Sequence, residues 1–194
     1  MKISAIVLAS GLSQRMGSAN KLFMTYRGET FLDKTLRLVT QLPVYERLLV
    51  IGPADLKQAH VPQGYKLLVN HNPELGQSHS VVLGTQMATG DAYIYLAIDQ
   101  PDLRVSDVHP LLLLAKSDKI VYPTILTQPS NPMVFGSHFR DELLQLTGDS
   151  GGRQIRTQHP EACISVPVTP GPFEDVDTLG QYKNLIKEGS DYEY

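Results

Sequence analysis

The sequence predicts an α/β fold in which helices cover both faces of a parallel sheet, and three observations carry that prediction. Short apolar runs alternate with stretches of helical periodicity along most of the chain. The first run, Ile3–Ala9, breaks into a small-residue turn at Ser10-Gly11, as the first strand of an open sheet does where it meets a ligand. No linker, repeat or low-complexity tract interrupts the 194 residues, a length suited to one domain with one core.

Taken in order, strands are expected at 3–9, 47–51, 66–69, 93–98, 119–122, 132–135 and 162–167, all short apolar runs bounded by turn residues. Phe31, Leu32, Thr35, Leu36 and Val39 repeat with the period of a helix, as do Val81, Val82, Thr85 and Met87. Two further helices are expected at 107–116 and 178–187, with Ser106 and Asp177 placed as side-chain N-caps. Pro110 then falls in the first turn, where a missing N–H costs nothing. Between 125 and 152 the alternation loosens into loops and a short β-excursion. One domain over 1–194 is therefore expected, in two halves near 1–105 and 106–188, with a frayed tail from Gly189 to Tyr194.

Bulk composition narrows the function. A net charge of −3 with 19% charged residues gives no basic excess for gripping a nucleic acid. The lone cysteine, Cys163, cannot form an internal disulfide; its apolar neighbours suggest a buried strand, and a reducing, cytoplasmic setting follows. The N-terminal apolar run is too short to span a membrane and lacks a signal-peptide pattern, so no membrane partner is expected.

The chemistry gathers at predicted strand ends. After Ala9 the chain reads Ser10-Gly11-Leu12-Ser13-Gln14-Arg15-Met16-Gly17, then Asn20-Lys21-Leu22. Its backbone amides can approach an anion closely, with Arg15 and Lys21 in reach. Neither a Walker A loop nor the dinucleotide glycine fingerprint is present. Asp99 follows the 93–98 strand and reads either as a hard-cation ligand or as a cap for the turn at Pro101. Asp177 reads as a second ligand or as a helix N-cap, with Glu174 and Asp175 as competitors for the metal role.

Two further segments offer polar groups. The stretch from Asn70 to Ser80 offers donors to a base, a ribose or a phosphate at a helix start, with Ser78 alternatively a simple cap. His71 and His79 read as loop histidines, because no ligand cluster surrounds them. Gly148-Asp149-Ser150-Gly151-Gly152-Arg153 is an amide-rich turn that either grips an acidic acceptor or ends a helix at 137–146. The absence of G-x-S-x-G weighs against an α/β-hydrolase.

These motifs resemble, in order, those of the molybdenum cofactor cytidylyltransferases within the molybdopterin nucleotidyltransferase family. The resemblance rests on L-A-S-G-L-S-Q-R-M-G…N-K-L from Leu8, Asn70 with Gly76-Gln77-Ser78-x-Ser80, Asp99-Gln100-Pro101, Asn131-Pro132-Met133-Val134-Phe135, L-T-G-D-x-G-G-R from Leu146, and Asp175-Val176-Asp177-Thr178. It implies a Rossmann-like three-layer nucleotidyltransferase fold with a mostly parallel central sheet. It also implies transfer of CMP from CTP, with Mg2+, to the terminal phosphate of molybdopterin or the molybdenum cofactor, releasing pyrophosphate. A molybdenum hydroxylase would receive the product.

The resemblance assigns Arg15, Lys21 and Asp99 to catalysis and Asp99 with Asp177 to the metal. Leu8, Ala9, Ser10, Gly11, Ser13, Arg15, Met16, Gly17, Lys21, Asn70, Gly76, Ser78 and Ser80 fall to the nucleotide, and Asn131, Gly148, Asp149 and Arg153 to the acceptor. Several positions depart from the pattern. Ser10 stands where cytidylyl forms carry Ala and guanylyl forms Gly, Gln100 where Met is common, and Ser130-Asn131 where Gly-His precedes the proline. A GTP-using transferase, a different phosphorylated acceptor and a non-catalytic carrier for a hydroxylase are the competing readings.

Overall fold

The computed structural model describes residues 1–11, 19–148 and 151–190. β1 (Ile3–Ala9) leads, after the glycine turn, to a small hairpin of β2 (Thr25–Tyr26) and β3 (Glu29–Thr30). Arg27 and Gly28 both have positive φ at its tip (51° and 78°), the conformation a tight hairpin requires. α1 (Phe31–Gln41) starts on Thr30, whose hydroxyl accepts from the Asp33 amide at 3.0 Å. β4 (Glu46–Ile51), α2 (Pro53–Leu56), β5 (Tyr65–Val69), α3 (Gln77–Met87) and β6 (Ala92–Ala97) complete the first half. Then come α4 (Val105–Leu113), β7 (Ile120–Ile125), β8 (Gln128–Pro129), β9 (Met133–Gly136), α5 (Arg140–Leu144), α6 (Arg153–Gln158), β10 (Cys163–Val168) and α7 (Leu179–Ser190).

The strands form one mixed sheet in the order β10-β7-β9-β6-β1-β4-β5, with β8 paired to β7. β1 runs parallel to β4 on one side and to β6 on the other; β9 is antiparallel to both its neighbours. The chain winds outward from β1 to β5 and then crosses back through α3 to β6. That reversal opens a crevice at the carboxyl ends of β1 and β6, the usual ligand position in such sheets.

Period-two alternation splits β1 between two cores. Ala5, Val7 and Ala9 pack with Phe31, Leu36 and Leu111 on one face, and Ile6 packs with Val50, Val81 and Phe135 on the other. α3 lies so close to β1 that a Cβ on Gly84 would fall 2.5 Å from Ile6 Cγ2. At the amino end of the sheet stands Glu46, 8% exposed. Its carboxylate accepts from Ser4 Oγ (2.6 Å), Thr89 N (2.6 Å), Thr89 Oγ1 (2.9 Å) and Lys66 Nζ (2.6 Å).

Several boundaries differ from the expectation. α4 begins at Val105 rather than 107, because Asp107 accepts from the Arg104 amide at 2.8 Å; Ser106 is inside the helix and caps nothing. Pro110 therefore sits beyond the first turn, where it removes a helix hydrogen bond. The helix expected at 137–146 is a 3-10 turn, Ser137–Phe139, followed by the five residues of α5. Cys163 is only partly buried at the start of β10 and donates toward the His159 and Arg156 carbonyls at 3.3 and 3.5 Å.

Candidate active site

The glycine turn stands at the carboxyl end of β1, as expected. Leu8 and Ala9 close the strand, Ser10 is buried, and Gly11 is exposed with open space where a Cβ would project. Ser13, Arg15, Met16 and Gly17 lie outside the described residues, as does Asp149.

Lys21 is set by its own turn. The Asn20 side chain accepts from the Leu22 amide (3.1 Å) and donates to Asp55 (2.6 Å), while Leu22 is driven into the core. With its backbone fixed, Lys21 runs inward and places Nζ 2.8 Å from Asp177 Oδ1 and 3.7 Å from Asp99 Oδ2. Residues almost 80 and 160 positions apart thus meet at one point, and the reason is backbone docking. Val176 N donates to the Asp99 carbonyl (2.8 Å), buried Gln100 donates to the Phe173 carbonyl (2.9 Å), and Ser130 Oγ reaches the same carbonyl at 3.2 Å. Phe173 and Val176 are buried, so apolar anchors flank the acidic segment.

The bland role expected for Asp177 belongs to its neighbour. Thr178 Oγ1 accepts from the Gln181 amide at 3.2 Å and caps α7, while Gln181 Oε1 takes the Asp177 and Thr178 amides at 2.9 Å each. The Asp177 carboxylate faces Lys21 instead. Asp99 is the electrostatically costly member. Burial pushes its carboxyl above the usual range, Lys21 opposes that rise and Asp177 adds to it. Among the described residues its Oδ1 is buried without a hydrogen-bond partner. Asp175 keeps an exposed face and lines the neighbouring cavity; loss of water on its other side, then the charges of Asp99 and Asp177, push it up to about 6.

Asn70 is fully buried behind the glycine turn. Its Nδ2 donates to Ser10 Oγ (3.0 Å) and Ser80 Oγ (3.1 Å), which bond each other at 2.5 Å. Its Oδ1 accepts from Asn72 N (2.9 Å) and pairs with His79 Nδ1 (2.8 Å). The network ties β1, β5 and α3 together under the turn, and it shows that His79 is a helix residue orienting Asn70 rather than a loop histidine. Gly76, at φ 87°, is the N-cap of α3, so Ser78 caps nothing. Instead Ser78 is buried, and its amide donates to the Gly148 carbonyl at 3.2 Å, drawing the 146–148 turn toward the crevice.

Beyond that turn lies a cavity of about 390 Å³. Leu8, Ala97, Gln77, Asn131, Arg153 and Arg156 contribute to its walls. Gly152 permits the closure of one wall, since a Cβ there would meet the Phe135 ring at 2.3 Å. Arg156 escaped the sequence reading; its guanidinium stacks 5.0 Å above the Tyr122 ring. Its spacing of three from Arg153 on one helix is the signal that would have found it.

The donors suit a hard divalent cation. Two aspartates offer carboxylate oxygens, one of them carries the orphaned oxygen, and Lys21 neutralises only part of their charge. Among the described residues no group of three or more His, Cys, Asp or Glu is arranged as a protein-only metal cage. Two such carboxylates can serve a divalent cation whose remaining ligands are water and substrate phosphates.

The chain is similar to several known proteins. The chain is 26% identical to nicotine blue oxidoreductase of Paenarthrobacter nicotinovorans over 95% of its length and 96% of that protein. It is 26% identical to a probable molybdenum cofactor guanylyltransferase of Clostridium perfringens over 97% and 98% of the two chains. The solved structure of Rv0371c from Mycobacterium tuberculosis superposes with a TM-score of 0.84 at 21% identity, covering 96% of this chain and 98% of that one; this likeness shows the shared fold. No described helix is long and apolar enough to cross a membrane. The family described as MobA-like NTP transferase domain matches residues 5–163, and the chain belongs to that nucleotidyltransferase family.

Proposed function

We propose that this protein is a Mg2+-dependent cytidylyltransferase, transferring CMP from CTP to the terminal phosphate of molybdopterin or the molybdenum cofactor and releasing pyrophosphate. The observation that carries the reading is the convergence of Lys21, Asp99 and Asp177 at the carboxyl edge of the sheet, with one Asp99 oxygen buried and unsatisfied. A partner that supplies positive charge to that oxygen relieves a standing cost.

In the proposed reaction an oxygen of the acceptor phosphate attacks the α-phosphorus of CTP as the bond from that phosphorus to the bridging oxygen breaks. The bonding electrons leave with pyrophosphate. Asp99 and Asp177 would hold Mg2+, which would offset charge on the phosphates. Lys21, released in part from Asp177, would counter the negative charge growing on the departing pyrophosphate. Amides of the 9–17 turn would bind the triphosphate, and Arg15 would add a cation. No protein nucleophile is needed, because the acceptor is already an anionic phosphate and positioning supplies much of the rate.

Nucleotide choice is attributed to Ser10. Its hydroxyl is engaged by Asn70 and Ser80, and a side chain at this position would leave less room for a purine than glycine would. Gly76, Ser78 and Ser80 would border the ribose and base. The cavity that Asn131 and Arg153 help to wall would take the acceptor, and Gly148 and Asp149 are assigned to the same role. A cytoplasmic location and delivery to a molybdenum hydroxylase belong to the same reading.

Pyrophosphate release tests it, measured with Mg2+ and CTP or GTP, each with and without molybdopterin. Release requiring both CTP and the pterin supports the proposal. Release with GTP alone assigns a guanylyltransferase. Binding of CTP without turnover points to another phosphorylated acceptor or to a carrier, and overturns the proposal.

A further inference from the structure

A second cavity of about 550 Å³ lies outside the site just described. Its walls are the β2–β3 hairpin, the outer side of α1 and the segment that leads from Pro101 into α4. Four cations line it, Arg27, Lys34, Arg37 and Arg104, against two carboxylates, Glu29 and Asp102. The lining therefore carries a local excess of two positive charges in a chain whose net charge is −3. Such an excess inside a concavity focuses potential and draws anions.

The two carboxylates are already engaged. Arg37 grips Glu29 with two parallel bonds of 2.9 Å, and Arg27 Nη1 stands 3.7 Å from Asp102. Among the described residues neither Lys34 nor Arg104 has a carboxylate within ion-pairing distance. Lys34 is half-buried and rests 4.9 Å from the centroid of the Tyr26 ring, which is itself 2% exposed and so cannot move away. Burial lowers the Lys34 pKa, the largest influence on it, while Glu29 and Asp102 act in the opposite direction. A cation held partly out of water against a fixed ring, with a second cation lining the same cavity, is a prepared half of an ion pair.

The cavity also touches the backbone that carries the active-site residues. Tyr26 lies five residues after Lys21, and Asp102 three after Asp99. Tyr26 OH donates to Asp102 Oδ2 at 3.3 Å, joining those two segments directly behind the site.

We propose that this cavity is a second anion site, taking a compact phosphate dianion between Lys34 and Arg104. The charge excess matches a dianion, and an ammonium from α1 and a guanidinium from the segment before α4 both line the cavity as donors. Inorganic pyrophosphate and the phosphate group of a phosphomonoester share this chemistry. The inference is independent of which nucleotide the main site uses.

Titration of the full chain without divalent metal tests it, using sodium phosphate, sodium pyrophosphate and phenyl phosphate at constant ionic strength, followed by amide NMR shifts and calorimetry. The expected result is saturable shifts confined to amides of 26–38 and 101–107, with binding weakened about tenfold or more by Lys34→Gln or Arg104→Gln, since a charge-assisted hydrogen bond is lost. The stem-preserving Gln variants guard against loss of fold, which their unchanged spectra elsewhere would verify. Pyrophosphate binding tighter than the other two names it as the source; tightest binding of phenyl phosphate names a phosphomonoester. Shifts that chloride reproduces equally, or saturable binding that both variants leave unchanged, would overturn the proposal.

Discussion

Replacing Glu46 by Gln should destabilise the protein by about 3 kcal/mol at neutral pH, and the figure follows from the residue's surroundings. Burial alone would raise its pKa, but hydrogen bonds from Lys66, Ser4 and Thr89 outweigh it and hold the carboxyl at about 2, against 4.5 unperturbed. At about 1.36 kcal/mol per pH unit, that difference makes the ionised form worth about 3 kcal/mol to the fold. Gln can still accept from Ser4 and Thr89, but it turns an NH2 toward Lys66 Nζ, where a carboxylate oxygen now sits at 2.6 Å.

Because the folded pKa is depressed, the stabilisation is complete above pH 4.5 and is lost as pH falls toward 2. Urea denaturation of wild type and Glu46→Gln from pH 7 to pH 2 would read both effects. The gap in unfolding free energy should be about 3 kcal/mol at pH 7, lowering Tm by roughly 6 to 12 °C for a chain of this size, and should close across the acid window. A gap under about 0.5 kcal/mol at pH 7, or one that persists unchanged at pH 2, would refute the reasoning.

Two further predictions concern packing and surface charge. Gly84→Ala should cost about 1–3 kcal/mol despite the better helix propensity of Ala, because its methyl meets Ile6 Cγ2 at 2.5 Å; in urea, Gly84→Ala combined with Ile6→Ala should lose less than the two single changes summed. His159 should titrate above its ordinary 6.5, chiefly through its 2.9 Å hydrogen bond to Glu142, so this contribution to stability is full below that value and fades as pH rises through the folded pKa. Ring-proton NMR would show the raised value, and Glu142→Gln should return it toward 6.5.

How much was legible in the sequence depended on whether local pattern or long-range contact decided the feature. The strands of the main sheet were largely readable because apolar runs of four to seven residues between turn signals leave little choice, and β1 and α1 appear where expected. The antiparallel direction of β9 was not readable, because apolar alternation carries no sign. The caps failed for a definite reason. Ser106 and Asp177 have cap chemistry, but Asp107 and Thr178 made the capping bonds, and which of several adjacent polar residues wins depends on contacts outside the helix.

The candidate site showed the same division. Lys21, Asp99 and Asp177 were each nameable at a strand or helix end, yet their meeting depends on Val176 bonding the Asp99 carbonyl and Gln100 bonding that of Phe173, contacts no spacing rule contains. The contrast with Glu46 is instructive. Both are carboxylates largely withdrawn from water at opposite ends of the sheet; Glu46 accepts four hydrogen bonds, whereas Asp99 leaves one buried oxygen with none. A satisfied carboxylate at the amino end stabilises the fold, and under the proposed function the unsatisfied one at the carboxyl end is where a bound cation would supply the missing charge.

That claim is tested most directly by calorimetric titration of a non-hydrolysable CTP analogue into wild type and Asp99→Asn, each with and without Mg2+. The account predicts that Mg2+ strengthens nucleotide binding in wild type, that Asp99→Asn abolishes most of this enhancement while keeping the metal-free affinity, and that the variant is at least as stable as wild type. Undiminished enhancement by Mg2+ in Asp99→Asn would contradict it.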